Sequence, residues 1–331
     1  MTMLTKRDFL AGSAALAGGA IAMPSVLRAQ ATVLRWGEML PTTHPQVQMV
    51  ERIAKQVKEK SSGRIDIQAF PAGQLGSGKD MMESVASGAL TMTTDGAAAL
   101  GSFLPQLSVV EAPYLWRDAA HMAKVAKAPV FAQMNAELEK KRGMRMAAVT
   151  YYGKRHLTTG SKPVKSAADV AGLKLRVPPA PLWTSMFKAF KSAPASINFA
   201  EVYTALQTGV VDGQENPLAI ISTAKLFEVQ KFCSVTNHMW DGFWFLANKR
   251  AWERLPDDLR TIVAKNLNQA GKDERADVAK LNASVKEDLI SKGMAFNDTD
   301  ASLFRAALKE AGFYSEWKSK YGDEAWAILE K

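Results

Sequence analysis

Residues 172–183 read G-L-K-L-R-V-P-P-A-P-L-W, and residues 197–217 read I-N-F-A-E-V-Y-T-A-L-Q-T-G-V-V-D-G-Q-E-N-P. Leu173, Leu175 and Val177 alternate with Lys174 and Arg176, the period of a strand with one apolar face. Pro178 and Pro179 stop it, because the residue before a proline is held extended and a proline donates no ladder hydrogen bond. Arg176 is therefore expected one residue short of a strand's carboxyl end, on the face its apolar neighbours do not use. In open α/β sheets ligands collect at those ends. Asn198 and Glu201 have the spacing of a capping box for a helix carrying Val202, Tyr203 and Leu206 and stopping at Gly209. Asp212-Gly213 is a turn signal, and Asn216-Pro217 reads as N-cap and first residue of the next helix.

Working outward, the chain opens with β-α-β-α-β order. Residues 32–40 form a short strand. Thr43-His44-Pro45 leads into a helix with Val47, Val50, Ile53 and Val57 on one face, ending at Ser61-Ser62-Gly63. R-I-D-I-Q-A-F is the second strand, residues 79–88 a helix, and A-L-T-M-T-T-D the third strand. This order points to a mostly parallel sheet. Gly73 to Lys79 has the spacing of a phosphate-binding loop, but Asp80 stands where Ser or Thr would hold magnesium, so a plain glycine-rich turn is expected. A strand runs to Tyr152, and Arg155 to Thr159 continue extended. Phe243, Phe245 and Ala247 alternate with Trp244 and Leu246 in a strand apolar on both faces. Pro256 opens a long helix over 257–291 that Gly293 ends.

The runs A-L-Q-T-G-V-V-D-G-Q-E-N-P and G-L-K-L-R-V-P, with F-P-A-G-Q-L-G from Phe70 and F-E-V-Q-K-F from Phe227, resemble the extracytoplasmic solute-binding subunits of tripartite ATP-independent periplasmic (TRAP) transporters, the DctP-type family. The likeness covers essentially the whole mature chain. It implies an α/β, two-domain periplasmic-binding-protein (clamshell) fold with a hinge and long C-terminal helices. The expected division is a signal peptide over 1–31, a first lobe over 32–152, a second over 153–245, and over 246–331 a hinge-spanning helix with C-terminal helices packing on both lobes. It also implies that Arg176 binds a ligand carboxylate, that Arg155 closes around it, and that Asn216 contacts the ligand.

From residue type alone Arg176 has two readings. A guanidinium fork grips a carboxylate with two charge-assisted hydrogen bonds, and it serves a structural salt bridge equally well. Phe199 and Trp183 suit a core or the wall of a cleft. Trp240, Asp241 and Trp244 are further candidates for the cleft, and Glu38 and His44 complete the ligand-binding set. Some sialic-acid-type relatives carry a glutamate where Gly96 stands here, which argues against sialic acid.

Lys6-Arg7, the small apolar run from Phe9 to Met23 and Ala29-Gln30-Ala31 form an export signal with an A-x-A cleavage site. Thr5 to Leu10 is similar to a twin-arginine signal with Lys in place of the first Arg, so Sec and Tat routes both stay open. The run is too short and too rich in Gly and Ala for a membrane anchor, and no Cys follows the cleavage point for a lipid. Removing three cations and one anion with the signal lowers the net charge from +9 to +7. The charges are interspersed, which favours anionic small molecules over nucleic acid. Cys233 is a lone cysteine in an apolar run, a buried inert thiol.

No H-E-x-x-H, G-x-S-x-G or G-x-G-x-x-G motif occurs, and His44, His121, His156 and His238 share no metal-ligand spacing. The expectation is a non-enzymatic, monomeric periplasmic binding protein without cofactor or metal, capturing a small organic carboxylate (a sugar acid, or an aromatic or hydroxy acid) for TRAP membrane subunits. An exported enzyme acting on organic acids, or the sensing module of a signalling receptor, are the alternatives.

Overall fold

A computed structural model describes residues 30–116 and 129–330. Residues 1–29 of the expected signal segment, and His121, lie outside the described residues. Three parallel strands start the fold: β1 (Thr32–Gly37), β2 (Ile65–Phe70) and β3 (Met92–Gly96), in the order β2-β1-β3. Helix Pro45–Lys60 connects the first two, with Pro45 at its start and Val47, Val50, Ile53 and Val57 buried. Helix Gly78–Ser87 connects the next two. The glycine-rich turn before it is closed by its own acid: Asp80 accepts hydrogen bonds from the Ser77 N–H (3.0 Å) and hydroxyl (2.7 Å). A carboxylate in that place fills the position a phosphate would need.

The chain then runs through one long strand, β4 (Met144–Thr159). Its first part pairs antiparallel with β9 (Trp240–Asn248), as far as Lys154 opposite Trp240. From Arg155 to Thr159 the same strand pairs with β7 (Gly213–Pro217), and from Leu157 with β8 (Phe232–Val235). A register shift falls between Tyr151 and Gly153, and Gly153 has φ of +138°, a conformation that suits glycine. One strand thus serves both halves of the sheet, and it changes partners at a bulge. Strands β5 (Lys174–Val177) and β6 (Ala193–Ser196) extend the second half parallel to one another, and β7 lies parallel to β5. The mostly parallel sheet expected from β-α-β order holds within each half. The middle is antiparallel, because β9 returns from the second half directly to β3.

Helix Asp257–Ser291 takes the limits expected for it and joins two cores. Leu259, Val263, Leu267 and Ala270 pack with Trp36, Val50, Ile53 and Phe245 of the first half. Val285 and Leu289 pack with Val202, Ile221, Leu226 and Cys233 of the second. Burial pushes the Cys233 thiol up to about 12, which keeps it protonated. The helices Ala301–Glu310, Phe313–Tyr321 and Asp323–Glu330 share a third cluster, where Phe313, Trp317 and Tyr321 meet Val109 and Ala112 on one side and Leu182 and Phe187 on the other.

Two local expectations change. Asn216 is not a helix cap: it lies inside β7, opposite His156, and the next helix begins at Leu218. Ladder pairing with β4 holds its backbone extended, so the Asn-Pro pair ends a strand. Asn198 and Glu201 do not close a capping box either; a single 3₁₀ turn, Phe199–Glu201, precedes the helix Val202–Gln207, and Asn198 makes no cap hydrogen bond.

Candidate functional site

The carboxyl ends of β3 and β5 face a cavity of about 950 Å³. Arg155, Arg176, Trp183, Phe199, Asn216 and Asp241 line it together, although they come from separate segments of the sequence. Asp95, Asn198 and Phe243 complete the part of the wall nearest them.

Arg176 is 2% exposed, as buried as Leu175 and Val177 beside it. Its Nε donates to the Ile197 carbonyl at 2.9 Å, and its guanidinium carbon lies 5.9 Å from the centre of the Phe199 ring. The carbonyl fixes the side chain, and the ring supports one face of the guanidinium. Pro178 and Pro179, which end the strand, also line the cavity, so the termination that sequence predicts is what opens the space beyond Arg176.

Arg155 has a different setting. Its NH2 donates to Glu215 Oε1 and to the Glu215 carbonyl, both at 2.8 Å, and to Asn216 Oδ1 at 3.0 Å. Its NH1 donates to Asp241, and its guanidinium lies 5.0 Å from the Trp183 ring centre. Two buried carboxylates therefore answer this cation, and they hold it as a fixed part of the wall. Arg155, expected to close around the anion, lines the cavity with both carboxylates on it. His238 bonds Glu215 from the other side at 2.8 Å. Burial alone would raise the Glu215 carboxyl, but the Arg155 charge and the hydrogen bonds from His238 and Arg155 outweigh it and hold it near 2. Asn216 donates to Gln214 Oε1 at 2.6 Å and so presents a fixed amide to the cavity.

Four expected site residues lie off this wall. Glu38 is buried behind β1, where it accepts hydrogen bonds from Trp36 Nε1 (2.9 Å) and Gln46 (3.1 Å) and pairs with Thr94; burial raises its carboxyl to about 8. His44 caps the helix Pro45–Lys60 by accepting the Gln46 N–H, and burial lowers it to about 3, a neutral ring. Trp244 stacks on Phe131 with ring centres 6.0 Å apart, and Trp240 lies under Lys154 Nζ at 4.9 Å. Glu38 and His44 have structural duties: their polar atoms are taken up by Trp36, Thr94 and Gln46 while Met39 and Leu40 between them line the cavity. The tryptophans alternate with Asp241 and Phe243 along β9, so the strand's period sends them to the opposite face from the cavity.

Asp95 was not among the residues expected. It sits at the carboxyl end of β3 as Arg176 sits near that of β5, so the rule that picks out one arginine there also picks out this acid. Burial, with the neighbouring Asp241 adding to it, raises its carboxyl to about 7 against a hydrogen bond from the Gly96 N–H. Among the described residues no group of three or more His, Cys, Asp or Glu could hold a metal ion, and no helix is long and apolar enough to cross a membrane.

A two-domain α/β fold with a cavity at strand ends, walled by cations, amides and rings, is that of the solute-binding proteins. The chain belongs to the bacterial extracellular solute-binding protein family 7, the DctP family, which it matches over residues 36–317. Its relatives include the 2,3-diketo-L-gulonate-binding periplasmic protein of Escherichia coli, 31% identical over 91% of this chain and 89% of that protein. A TRAP periplasmic solute-binding protein from Roseobacter denitrificans, solved with bound L-galactonate, superposes with a TM-score of 0.84 at 30% identity, covering 91% of this chain and 98% of that one. An uncharacterized protein of Sinorhizobium fredii is 35% identical over 85% of this chain, which spans about half (52%) of that relative's length.

Proposed function

We propose that this protein is exported to the periplasm, captures a sugar acid as a monomer, and delivers it to the membrane subunits of a TRAP transporter. Residues 1–31 would be removed on export. Residues 32–152 and 153–245 would form the two lobes, and 246–331 the helices that tie them together.

One observation carries this reading: a buried arginine, Arg176, lines a large cavity at the end of a strand that two prolines cut short. Its planar fork suits a carboxylate, and Asn216 stands on the same wall with an amide in fixed orientation. The cavity is at the upper end of the usual size for small-ligand sites, roomy enough for a six-carbon acid. Both relatives whose ligands are named above take sugar acids. The carboxylate docks on Arg176. Arg155, neutralised by Glu215 and Asp241, shapes the wall and adds little net charge.

The test is a thermal-shift screen of residues 32–331 against sugar, keto, aromatic and dicarboxylic acids, with Arg176→Ala in parallel. A ligand at 100 times its Kd adds about 2.7 kcal/mol of stability, a rise of several degrees. Arg176→Ala should weaken the best ligand by about 3–5 kcal/mol, taking a micromolar binder beyond detection. A variant that binds like the wild type would refute the docking role.

A further inference from the structure

The wall contributed by the first half of the sheet holds a group that carboxylate capture leaves unused. Asp95 ends β3, is 6% exposed and lines the cavity. Its Oδ1 accepts the Gly96 N–H at 2.8 Å, and among the described residues no lysine or arginine pairs with it. The charged group that bears on it most is Asp241, of the same sign. Gly78 makes room for the other oxygen: a Cβ at that position would lie 2.4 Å from Asp95 Oδ2.

A buried carboxylate without a cation needs hydrogen-bond donors, and on this wall the ligand is left to bring them. A hydroxyl suits, since it donates to the carboxylate when ionised and accepts from it when protonated. A second carboxylate on the ligand does not, because like charges repel strongly where water is excluded. An ammonium group would match Asp95 in charge, but Lys79, Lys188 and Lys191 along the cavity and Arg176 within it oppose a cationic end. Resting on the carboxylate-binding reading of this cavity, we propose that Asp95 is a specificity-determining residue: it receives hydroxyl groups of the ligand whose carboxylate Arg176 holds, and it selects polyhydroxy monocarboxylates over dicarboxylates.

The experiment is calorimetric titration of residues 32–331 with six-carbon aldonates, the matching aldarates, hexanoate and 6-aminohexanoate. The aldonate that binds best should exceed its aldarate and hexanoate by about 100-fold or more, because a site built to pair hydroxyls rejects partners that leave its polar groups unpaired. Asp95→Asn, which keeps the shape and removes the charge, should lower the aldonate-to-aldarate ratio by about 10-fold or more. Asp95→Ser replaces it if the amide variant fails to fold, with the same expectation. An unchanged ratio in a folded variant overturns the proposal, as does a wild-type preference for an aldarate, hexanoate or 6-aminohexanoate. Arg176→Ala separates the two levels. If it abolishes binding while the Asp95 variants leave selectivity unchanged, this inference alone fails; if it binds normally, the carboxylate reading fails and takes this one with it.

Discussion

Replacing Arg155 with methionine leaves Glu215 and Asp241 buried beside each other without their shared cation. Breaking a buried pair on one side costs about 3–5 kcal/mol, because the remaining charges have lost both water and partner. Arg155→Met should therefore lower the Tm markedly at pH 7, and by less at pH 4, where Glu215, buried and without its cation, takes up a proton. Calorimetry at the two pH values checks this; equal losses would mean that packing on Trp183, and not charge, is what Arg155 supplies. The same contrast shows what is legible at this scale. Arg176 announces itself by its place before Pro178-Pro179. Nothing near Arg155 in sequence reveals that Glu215 and Asp241, about sixty and about ninety residues further on, will neutralise it, since that pairing exists only through the β4–β7 and β4–β9 registers.

The long helix makes its case at the scale of the element. A Cβ on Gly271 would lie 2.8 Å from the Val149 carbonyl oxygen of β4, so only glycine lets helix and strand approach this closely. Alanine is favoured over glycine in a helix interior by about 1 kcal/mol. Here the clash is with backbone, which cannot rotate away, and overpacking costs typically 1–3 kcal/mol. Gly271→Ala should thus destabilise, with a Tm lower by several degrees in a thermal melt; a stabilised variant would show that the strand yields freely. Gly213 works similarly in β7, where a Cβ would come within 2.3 Å of the Thr158 carbonyl oxygen. Element limits were largely readable, because prolines and glycines mark them: Pro45, Pro178, Pro256 and Gly293 each fall at an end. Asn216 departs from its local pattern because Asn-Pro marks a helix start only when no strand claims the asparagine first.

Across the whole molecule the buried titratable groups set a pH profile. Burial raises Glu38 to about 8 and Asp95 and Glu274 to about 7. Between the ordinary carboxyl value and those values the folded chain holds protons that the unfolded chain has released, so stability falls as pH rises. Burial lowers His44 to about 3, and burial with nearby positive charge lowers His156 equally; below the ordinary histidine value the unfolded chain binds protons that the folded one refuses, so stability falls as pH drops. Glu215 acts in the same sense, its contribution lost as pH falls towards 2. The raised acids outnumber the histidines where the windows overlap. Maximum stability should therefore lie near pH 5, with a Tm that declines from there to pH 8, and Glu38→Gln should flatten the decline. A melt series that rises steadily from pH 5 to pH 8 would contradict this.

The alternation of strands and helices, the long helix, the strand end at Arg176 and the family are all legible along the chain, because they depend on residue periodicity, on proline and glycine, and on contiguous motifs. That β4 serves both halves of the sheet, that Arg155 is paired with two acids, that Glu38 and His44 are buried away from the cavity and that Asp95 faces it emerge only in the folded chain. Those outcomes depend on which strands become neighbours. Long-range pairing brings distant residues within a few ångströms, and charge and burial at a site follow from those neighbours and not from local pattern.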